Sequence, residues 1–321
     1  MGLKYLIEGD YVYVGELGFM AVKGVSHPPG KVVAFPRLGR AATLEEVYAF
    51  IEDRVRGWLV FDDHSGQVLP QIPVESVERH LSALEGFRSL QPIDRLTMTA
   101  LELGRALSEE GGIPRGSIGI SGSILLKAHK RWSDIDIVLV EPRGFRVLEA
   151  LKELRVRGVT GAVTREHAQD LASKRRDSKL SLEAWLMHEG RKSTYGLFRG
   201  VVYSARIVQR PEDFWEPWGS ARWRELSYVK VRGVVEDDSL GCYTPMKLRV
   251  TVDEVLEGGE EAYKCGEVVS YRSRFAEQVF AGERFTARGR LETDLVTGRI
   301  RIFVGNMPDD YVISENVMRK I

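Results

Sequence analysis

Short apolar runs separated by turn signals fill the first part of the chain. Residues 11–14, 19–22 and 31–35 are apolar stretches of strand length, and His27-Pro28-Pro29-Gly30 forms a turn signal before the last of them. Thr43, followed by a leucine and two glutamates, has the form of a helix N-cap and predicts a helix through Arg54. Residues 58–61 predict a further strand, so residues 1–90 are expected to form a small α+β module.

From Ile93 onward the apolar positions take up helical spacing. Apolar residues recur every three or four positions and predict one amphipathic helix that ends at Gly111-Gly112, with Leu96, Ala100, Leu103 and Leu107 on its buried face. The pattern then predicts a strand over 117–120, a Gly-Ser turn, a brief helix over 124–130 and a strand over 135–140. Helices over 145–154 and 165–174 and a strand over 200–208 complete a predicted second domain at residues 91–210.

The segment 211–226 shows neither the helical nor the strand spacing of apolar residues. It contains two prolines and three tryptophans, and we interpret it as a connector. Five short apolar runs alternate with turns after it, at 229–235, 246–252, 267–275, 285–291 and 300–304. Glycines lie at several of the corners. Residues 227–321 are therefore predicted to form an all-β domain, either an OB-like barrel or a small sandwich.

The composition is that of an ordinary folded protein, with 43% hydrophobic and 29% charged residues. No stretch approaches eighteen apolar residues and the N-terminus lacks the apolar run of a signal peptide, so we expect a cytoplasmic protein without membrane contact. The 46 lysines and arginines balance 46 aspartates and glutamates. Any surface that binds nucleic acid must therefore be local.

The two cysteines, Cys242 and Cys265, lack CxxC spacing and a neighbouring histidine, which argues against a structural zinc site. Two buried thiols are the simplest interpretation. A disulfide stays open as an alternative, because Asn306 and Asn316 are the chain's only asparagines beside abundant charge. This bias is typical of thermophiles, whose cytosolic proteins can carry disulfides.

Two aspartates lie at the start of the predicted strand over 135–140. Side chains on a strand alternate between faces, so Asp134 and Asp136 point to one face and Ile135 to the other. Two adjacent like charges are unfavourable alone, and Mg²⁺ is a usual remedy, since it binds one or two carboxylates together with substrate phosphates. The pair therefore predicts a metal site, with solvated acids at a strand end as the alternative.

A glycine and a serine precede these aspartates by about ten residues. Gly122 lets the backbone approach a bulky anion and Ser123 offers a hydroxyl, at the start of a predicted helix whose free amides favour phosphate. We call Gly122-Ser123 and Asp134-Ile135-Asp136 the two half-motifs. The polar residues between them are either further nucleotide ligands or part of a solvated basic face: Lys127, His129, Lys130, Arg131 and Ser133.

Gly122-Ser123 followed by Ser133-Asp134-Ile135-Asp136-Ile137 resembles the Gly-Ser … Asp-x-Asp signature of the polymerase β nucleotidyltransferase superfamily. The motif covers residues 118–140. The whole chain, including His27-Pro28-Pro29 and the C-terminal all-β segment, also resembles uncharacterised archaeal proteins that are predicted nucleotidyltransferases. The resemblance implies an α+β fold in which a mixed-sheet nucleotidyltransferase core lies between the N-terminal module and an OB-like barrel.

The resemblance also implies that the core binds a nucleoside triphosphate with Mg²⁺ and transfers the nucleotidyl group to an acceptor, such as RNA or DNA, by in-line displacement. Asp134 and Asp136 would be the catalytic metal ligands of a two-metal site. The residues implied to contact the nucleotide are Gly122, Ser123, Ser133, Lys127 and Lys130.

The family usually adds a third carboxylate on a later strand of the same sheet. Here the later strand reads Tyr203-Ser204-Ala205-Arg206, without an acid. Glu183 is the nearest candidate if its segment is a strand. The alternative function is a non-catalytic protein that keeps the fold and binds nucleotide or nucleic acid.

Two further features are candidate nucleic-acid contacts. The basic cluster at residues 174–179 could hold a phosphate backbone or be a solvated helix end. The C-terminal aromatics could stack bases or pack in the core: Tyr271, Phe275, Phe280, Phe285 and Phe303.

Overall fold

The structure, a computed structural model, describes residues 5–37, 44–174 and 180–318. In the first part of the chain the elements are β1 (Tyr11–Val14), β2 (Gly18–Val22), β3 (Lys31–Pro36), α1 (Leu44–Arg54), β4 (Leu59–Asp62), β5 (Gln67–Pro73), β6 (Arg79–Leu81) and α2 (Ala83–Arg88). The middle part contains α3 (Arg95–Glu109), β7 (Ile118–Ile120), α4 (Gly122–Leu125), β8 (Ile135–Val140), α5 (Gly144–Val156), α6 (Arg165–Lys174), α7 (Leu182–Arg191), β9 (Tyr195–Phe198) and β10 (Val201–Val208). The last part contains β11 (Trp223–Leu240), β12 (Met246–Glu257), β13 (Glu267–Ser270), β14 (Arg284–Asp294), β15 (Ile300–Phe303), β16 (Tyr311–Ser314) and α8 (Glu315–Met318).

The described residues thus form a mixed α+β fold with three sheets and eight α-helices. Two compact units share the chain, and each is assembled from separate segments. The first comprises Met1–Arg37, Gln71–His167 and Gly190–Phe214, and the second Leu38–Pro70, Ala168–Glu189 and Trp215–Ile321. The boundaries at residues 90, 210 and 226 stay a prediction.

A mixed four-stranded sheet, in the order β7-β8-β10-β9, lies in the first unit. Strand β8 runs antiparallel to β7 and parallel to β10, and β10 is antiparallel to β9. At the start of β8 the predicted alternation is confirmed, because Ile135 and Ile137 are fully buried while Asp134 and Asp136 keep some exposure. Further along the strand both faces are buried, since Val138 and Val140, on the face of the aspartates, are buried as Leu139 is.

Helix α3 begins where local signals place it. The Asp94 side chain accepts a hydrogen bond from the Thr97 backbone amide, and the Thr97 hydroxyl accepts one from the Asp94 amide, which forms a capping box. The predicted buried face is confirmed, since Leu96, Ala100, Leu103 and Leu107 are all nearly inaccessible.

The remaining strands of the first unit form a sheet from the N-terminal segments. Strand β1 pairs with β2 and β6, β2 pairs with β3, and β3 pairs with residues 71–73 of β5, all antiparallel. His27 lies in the loop before β3. Its Nε2 donates to the Leu6 carbonyl at 3.0 Å, and the Val33 amide donates to its Nδ1 at 3.3 Å. Because Nδ1 accepts, the ring is neutral.

His27 is expected to make folding pH-dependent. Burial lowers the pKa of His27, although the Leu6 hydrogen bond and the charges of Asp10 and Glu8 oppose that shift. In the unfolded chain the imidazole binds a proton near pH 6.5, whereas in the folded chain it does so only at lower pH. The stability contributed by this ring is therefore present above about pH 6.5 and is lost as the pH falls below that value. Urea unfolding should show His27→Gln about 1 kcal/mol less stable than the parent at pH 7.5, with a smaller gap at pH 5.5. His167→Gln is the control, and a gap that does not change with pH would contradict the assignment.

The second unit contains a six-stranded sheet in the order β11-β12-β13-β15-β14-β16, with a further pairing between β11 and β14. All pairs are antiparallel except β13 with β15. Strand β4 pairs separately with residues 67–70 of β5. Cys242 and Cys265 are buried and are not bonded to each other, so the disulfide left open by the sequence does not form.

A buried ionic network lies in the second unit around Arg301, whose side chain is 1% exposed. Its guanidinium donates to Glu292 at 2.8 Å and to Glu216 at 3.1 Å, and it lies 3.7 Å from the centre of the Trp223 ring. Burial lowers the pKa of Arg301, but the two glutamates outweigh this effect and the pKa is raised. The charges are thus held together in the core.

Several elements differ from the sequence predictions. The predicted helix over 124–130 is only the single turn α4, because Lys127 takes a positive φ of 53° that no α-helix can contain. The predicted strand over 267–275 ends at Ser270, and β11 begins at Trp223, inside the predicted connector. Seven elements were not predicted from the sequence: β5, β6, α2, α7, β9, β16 and α8. Thr43 and residues 175–179 of the basic cluster lie outside the described residues.

In the parts of the chain that the structure covers, no helix is both long and apolar enough to cross a membrane.

Candidate functional site

The two half-motifs of the first unit touch each other. The Ser121 amide donates to the Asp136 carbonyl at 2.8 Å, which joins the end of β7 to β8. Gly122 follows with a φ of +59°, and a Cβ at this position would lie 1.9 Å from Oδ2 of Asp136. Glycine is needed at this position for two reasons: the left-handed backbone disfavours other residues, and the carboxylate of Asp136 leaves no space for a side chain.

The Ser123 side chain is the unsatisfied polar group of this site. Its hydroxyl is buried and has no hydrogen-bond partner among the described residues. Buried hydroxyls in folded proteins are nearly always bonded to protein, water or a ligand. A polar ligand beside Gly122 and Asp136 would satisfy it.

Strand β10 brings a hydroxyl and a cation to Asp136. The register pairs Ser204 with Asp136, and the Ser204 hydroxyl donates to Oδ1 of Asp136 at 2.8 Å. Arg206, two residues along the same face, places Nη2 at 3.5 Å from the same oxygen. The strand therefore presents Ser204 and Arg206 where the resemblance places a third acid.

An N-terminal segment, residues 8–11, lies over the same face of β8. Gly9 is so close that an added Cβ would meet Val138 at 2.5 Å, and its carbonyl accepts the Ser121 hydroxyl at 2.6 Å. Glu8 is buried and pairs with Lys23 at 2.9 Å. This segment was not predicted to contribute to the site, and its one local signal is the glycine between two acids just before β1.

Arg206 is the electrostatic centre of this cluster. Burial by itself lowers its pKa, but the charges of Asp136, Glu8, Tyr11 and Asp134 outweigh burial and raise it. Burial also raises the pKa of Tyr11, partly offset by Arg37 and Arg206. The guanidinium thus neutralises several acidic groups on one face of the sheet.

The residues between the half-motifs form an ordered loop. The Lys130 amide donates to the Ser133 hydroxyl at 3.0 Å, and the Ser133 amide donates back to the Lys130 carbonyl at 2.9 Å. Ser133 is buried and therefore shapes the loop, whereas the side chains of Lys127 and Lys130 are exposed. His129 Nε2 lies 2.7 Å from Asp94 Oδ2. The pKa of Asp94 is lowered to about 2, mainly by the hydrogen bond from the Thr97 amide and further by His129.

Two carboxylates, those of Asp134 and Asp136, are the candidate metal ligands at the start of β8. Asp134 and Asp136 alternate onto one face, which is the carboxylate supply that Mg²⁺ uses beside phosphate oxygens. Within residues 5–37, 44–174 and 180–318, no three acidic, histidine or cysteine side chains are grouped to hold a metal. Glu183 lies in helix α7, so the condition that made it a candidate third ligand, a strand over its segment, is not met.

The C-terminal aromatics mostly pack in the core of the second unit. Phe275, Phe285 and Phe303 are at most 2% exposed, which confirms the core interpretation for these three. Base stacking on them is therefore not available without unfolding.

Comparisons with known proteins place the chain beside one archaeal protein. No protein-family model matches the chain, and no solved structure matches it. The chain is 26% identical over 313 residues to the uncharacterized protein MJ1086 of Methanocaldococcus jannaschii, with 88% of this chain and 89% of that protein covered. The predicted resemblance to an uncharacterised archaeal protein is confirmed over most of the length of both chains.

Proposed function

We propose that the protein is an Mg²⁺-dependent nucleotidyltransferase whose site lies between the Gly122-Ser123 turn and Asp136. The observation that carries this proposal is the buried, unpartnered Ser123 hydroxyl beside a glycine that lies directly against the Asp136 carboxylate. Together they place an unsatisfied hydroxyl donor next to a glycine that lies against a proposed metal-binding acid. The mixed four-stranded sheet that positions these residues supports the proposal of a nucleotidyltransferase core.

In this proposal each residue has a limited task. Asp134 and Asp136 would hold one Mg²⁺, which when bound neutralises phosphate charge and orients the triphosphate. Ser123 would donate to a phosphate oxygen. Arg206 would keep Asp136 in place and add a positive charge to the face on which the phosphates lie, a task that elsewhere falls to guanidinium groups at phosphoryl-transfer sites.

The second unit would carry the OB-like barrel of the proposal. Pairing runs β11-β12-β13-β15-β14, and β14 pairs back with β11, so five strands follow one another in a ring. The parallel contact between β13 and β15 distinguishes this order from a simple meander. We propose that this ring is an OB-like barrel.

Transfer assays test the enzyme directly. Purified protein incubated with labelled nucleoside triphosphates, Mg²⁺ and RNA, DNA, protein or small-molecule acceptors should label one acceptor class. Asp134→Asn and Asp136→Asn should each lower the rate at least about a hundredfold, because each removes a metal-binding charge. Glu109→Gln, at an exposed surface pair, is the matched control. The absence of transfer to every acceptor, or equal transfer by the aspartate variants, would defeat the proposal.

A second candidate function is favoured by Arg206. Its guanidinium contacts Asp136 at the place where the resemblance puts a third acid, and this arrangement suits a protein that binds nucleotide without turning it over. Calorimetric titration with ATP and Mg²⁺ would then show binding, while the transfer assay shows no product. Any product that disappears in Asp136→Asn excludes this candidate.

A further inference from the structure

The loop between the half-motifs exposes a tryptophan. Trp132 is 72% exposed, although tryptophan is among the most extensively buried residues on average. It lies two residues before Asp134 in the chain, and the Arg131 guanidinium is 5.9 Å from its ring centre. A large aromatic face is thus open to solvent beside the proposed metal ligands.

The same loop carries three exposed cations and no acidic residue. Residues 122–133 include no aspartate or glutamate. Lys127, Lys130 and Arg131 are exposed, and none of them forms an ion pair with any residue in the described part of the chain. Since the chain as a whole has a formal net charge of zero, this loop is a local attraction for anions.

The loop is also held in one conformation before any ligand arrives. The reciprocal bonds between Lys130 and Ser133 close it, and the contact between His129 and Asp94 ties it to the start of α3. Lys127 keeps a positive φ of 53°, a conformation that glycine or asparagine would adopt more easily. A preformed surface loses little entropy on binding.

We propose that the loop over residues 127–132 binds single-stranded nucleic acid. A base would stack on Trp132, and the backbone phosphates would contact Lys127, Lys130 and Arg131. Single strands are favoured over duplexes because bases in a duplex already stack on each other and offer no free face. This inference rests on the proposed function in one respect, namely that the bound strand, which would end beside Asp134, is the acceptor.

Fluorescence anisotropy with labelled 12-nucleotide RNA and DNA strands, in the absence of nucleoside triphosphate, tests the binding. Trp132→Ala should weaken binding about tenfold and Trp132→Phe much less, because a phenyl ring still stacks. A triple variant, Lys127→Asn with Lys130→Gln and Arg131→Gln, should reduce the slope of log affinity against log salt concentration by about 2. Each phosphate contact contributes roughly 0.7 to that slope on a single strand. Asparagine at position 127 tolerates the positive φ.

Two variants in the same unit serve as controls. Phe145→Ala removes another exposed aromatic, and Arg105→Gln removes another exposed cation, so both should bind as the parent does. Circular dichroism checks that every variant is folded. Undetectable binding of single strands, equal affinity for a duplex, or unchanged affinity of Trp132→Ala would overturn the inference.

The same variants separate this inference from the proposed function. Asp136→Asn should bind the strands normally and fail to transfer. If the parent binds strands through Trp132 but transfers nothing, the enzyme proposal fails and the binding site stands. If Trp132→Ala labels nucleic acid as fast as the parent does at subsaturating strand concentrations, the binding site fails and the enzyme stands.

Discussion

Gly122→Ala is expected to weaken the binding of nucleoside triphosphate with Mg²⁺ by about a hundredfold. The new methyl group would lie 1.9 Å from Oδ2 of Asp136 and 2.8 Å from its Cγ, so the carboxylate must rotate away. Rotation breaks the Ser204 hydrogen bond and removes Asp136 from the position that a cation shared with Asp134 requires. The left-handed backbone adds a cost of about 1 kcal/mol to folding. Isothermal titration calorimetry measures the affinity, and urea unfolding measures the stability.

Gly158→Ala separates these two effects. Gly158 also has a positive φ, of +73°, but a Cβ there meets no atom within 4 Å. This variant should lose only the backbone contribution of about 1 kcal/mol and bind nucleotide as the parent does. Equal affinity of Gly122→Ala and the parent would show that the contact with Asp136 does not shape the nucleotide site.

Arg301→Ala is expected to destabilise the second unit by about 3–5 kcal/mol, the usual result of removing one partner from a buried ion pair. The substitution removes the buried cation that Glu216 and Glu292, each 1% exposed, share, and it uncovers the face of Trp223. Each glutamate keeps a contact to a more exposed arginine, Arg299 at 3.1 Å from Glu216 and Arg290 at 2.6 Å from Glu292. Arg301→Lys should recover only part of the loss, because an ammonium cannot donate in a fork to both glutamates or stack on the indole. The free energy of unfolding follows from urea denaturation monitored by tryptophan fluorescence.

Arg284→Ala is the matched control in the same sheet. Arg284 pairs with Asp253 at 2.7 Å, but both side chains are about 40% exposed, at 37% and 41%. Solvent screens such pairs, so the expected loss is much smaller than that of Arg301→Ala. A loss of similar size for both arginines would mean that the burial of the Arg301 network does not determine its contribution.

Elements with a strong local signal are predictable from the sequence. The short apolar run at residues 135–140 predicts β8, and the three-to-four spacing around Leu103 predicts α3, because each pattern reflects which side chains are buried. Asp94 and Thr97 mark the start of α3 through bonds confined to one turn. The elements that were missed are short or lack such a pattern, as for β6, whose three residues are Arg79, His80 and Leu81.

The candidate site is predictable only in part. The Gly-Ser turn and the aspartate pair are near each other in the chain, so spacing alone indicates that they meet. The roles of Arg206 and of residues 8–11 follow from pairings between distant segments, which no local pattern encodes. The parallel register of β10 with β8 decides that Ser204 contacts Asp136.

The sequence by itself determined the polar motif at Gly122, Ser123, Asp134 and Asp136, together with the strand that carries the aspartates, since periodicity and steric freedom are properties of neighbouring residues. Only the tertiary structure decided what surrounds that motif. A guanidinium, rather than a third carboxylate, contacts Asp136 because β10 lies beside β8 with Arg206 on the same face. The physical reason is that electrostatic contacts depend on distances between side chains, and those distances are set by strand pairing across long separations in the chain.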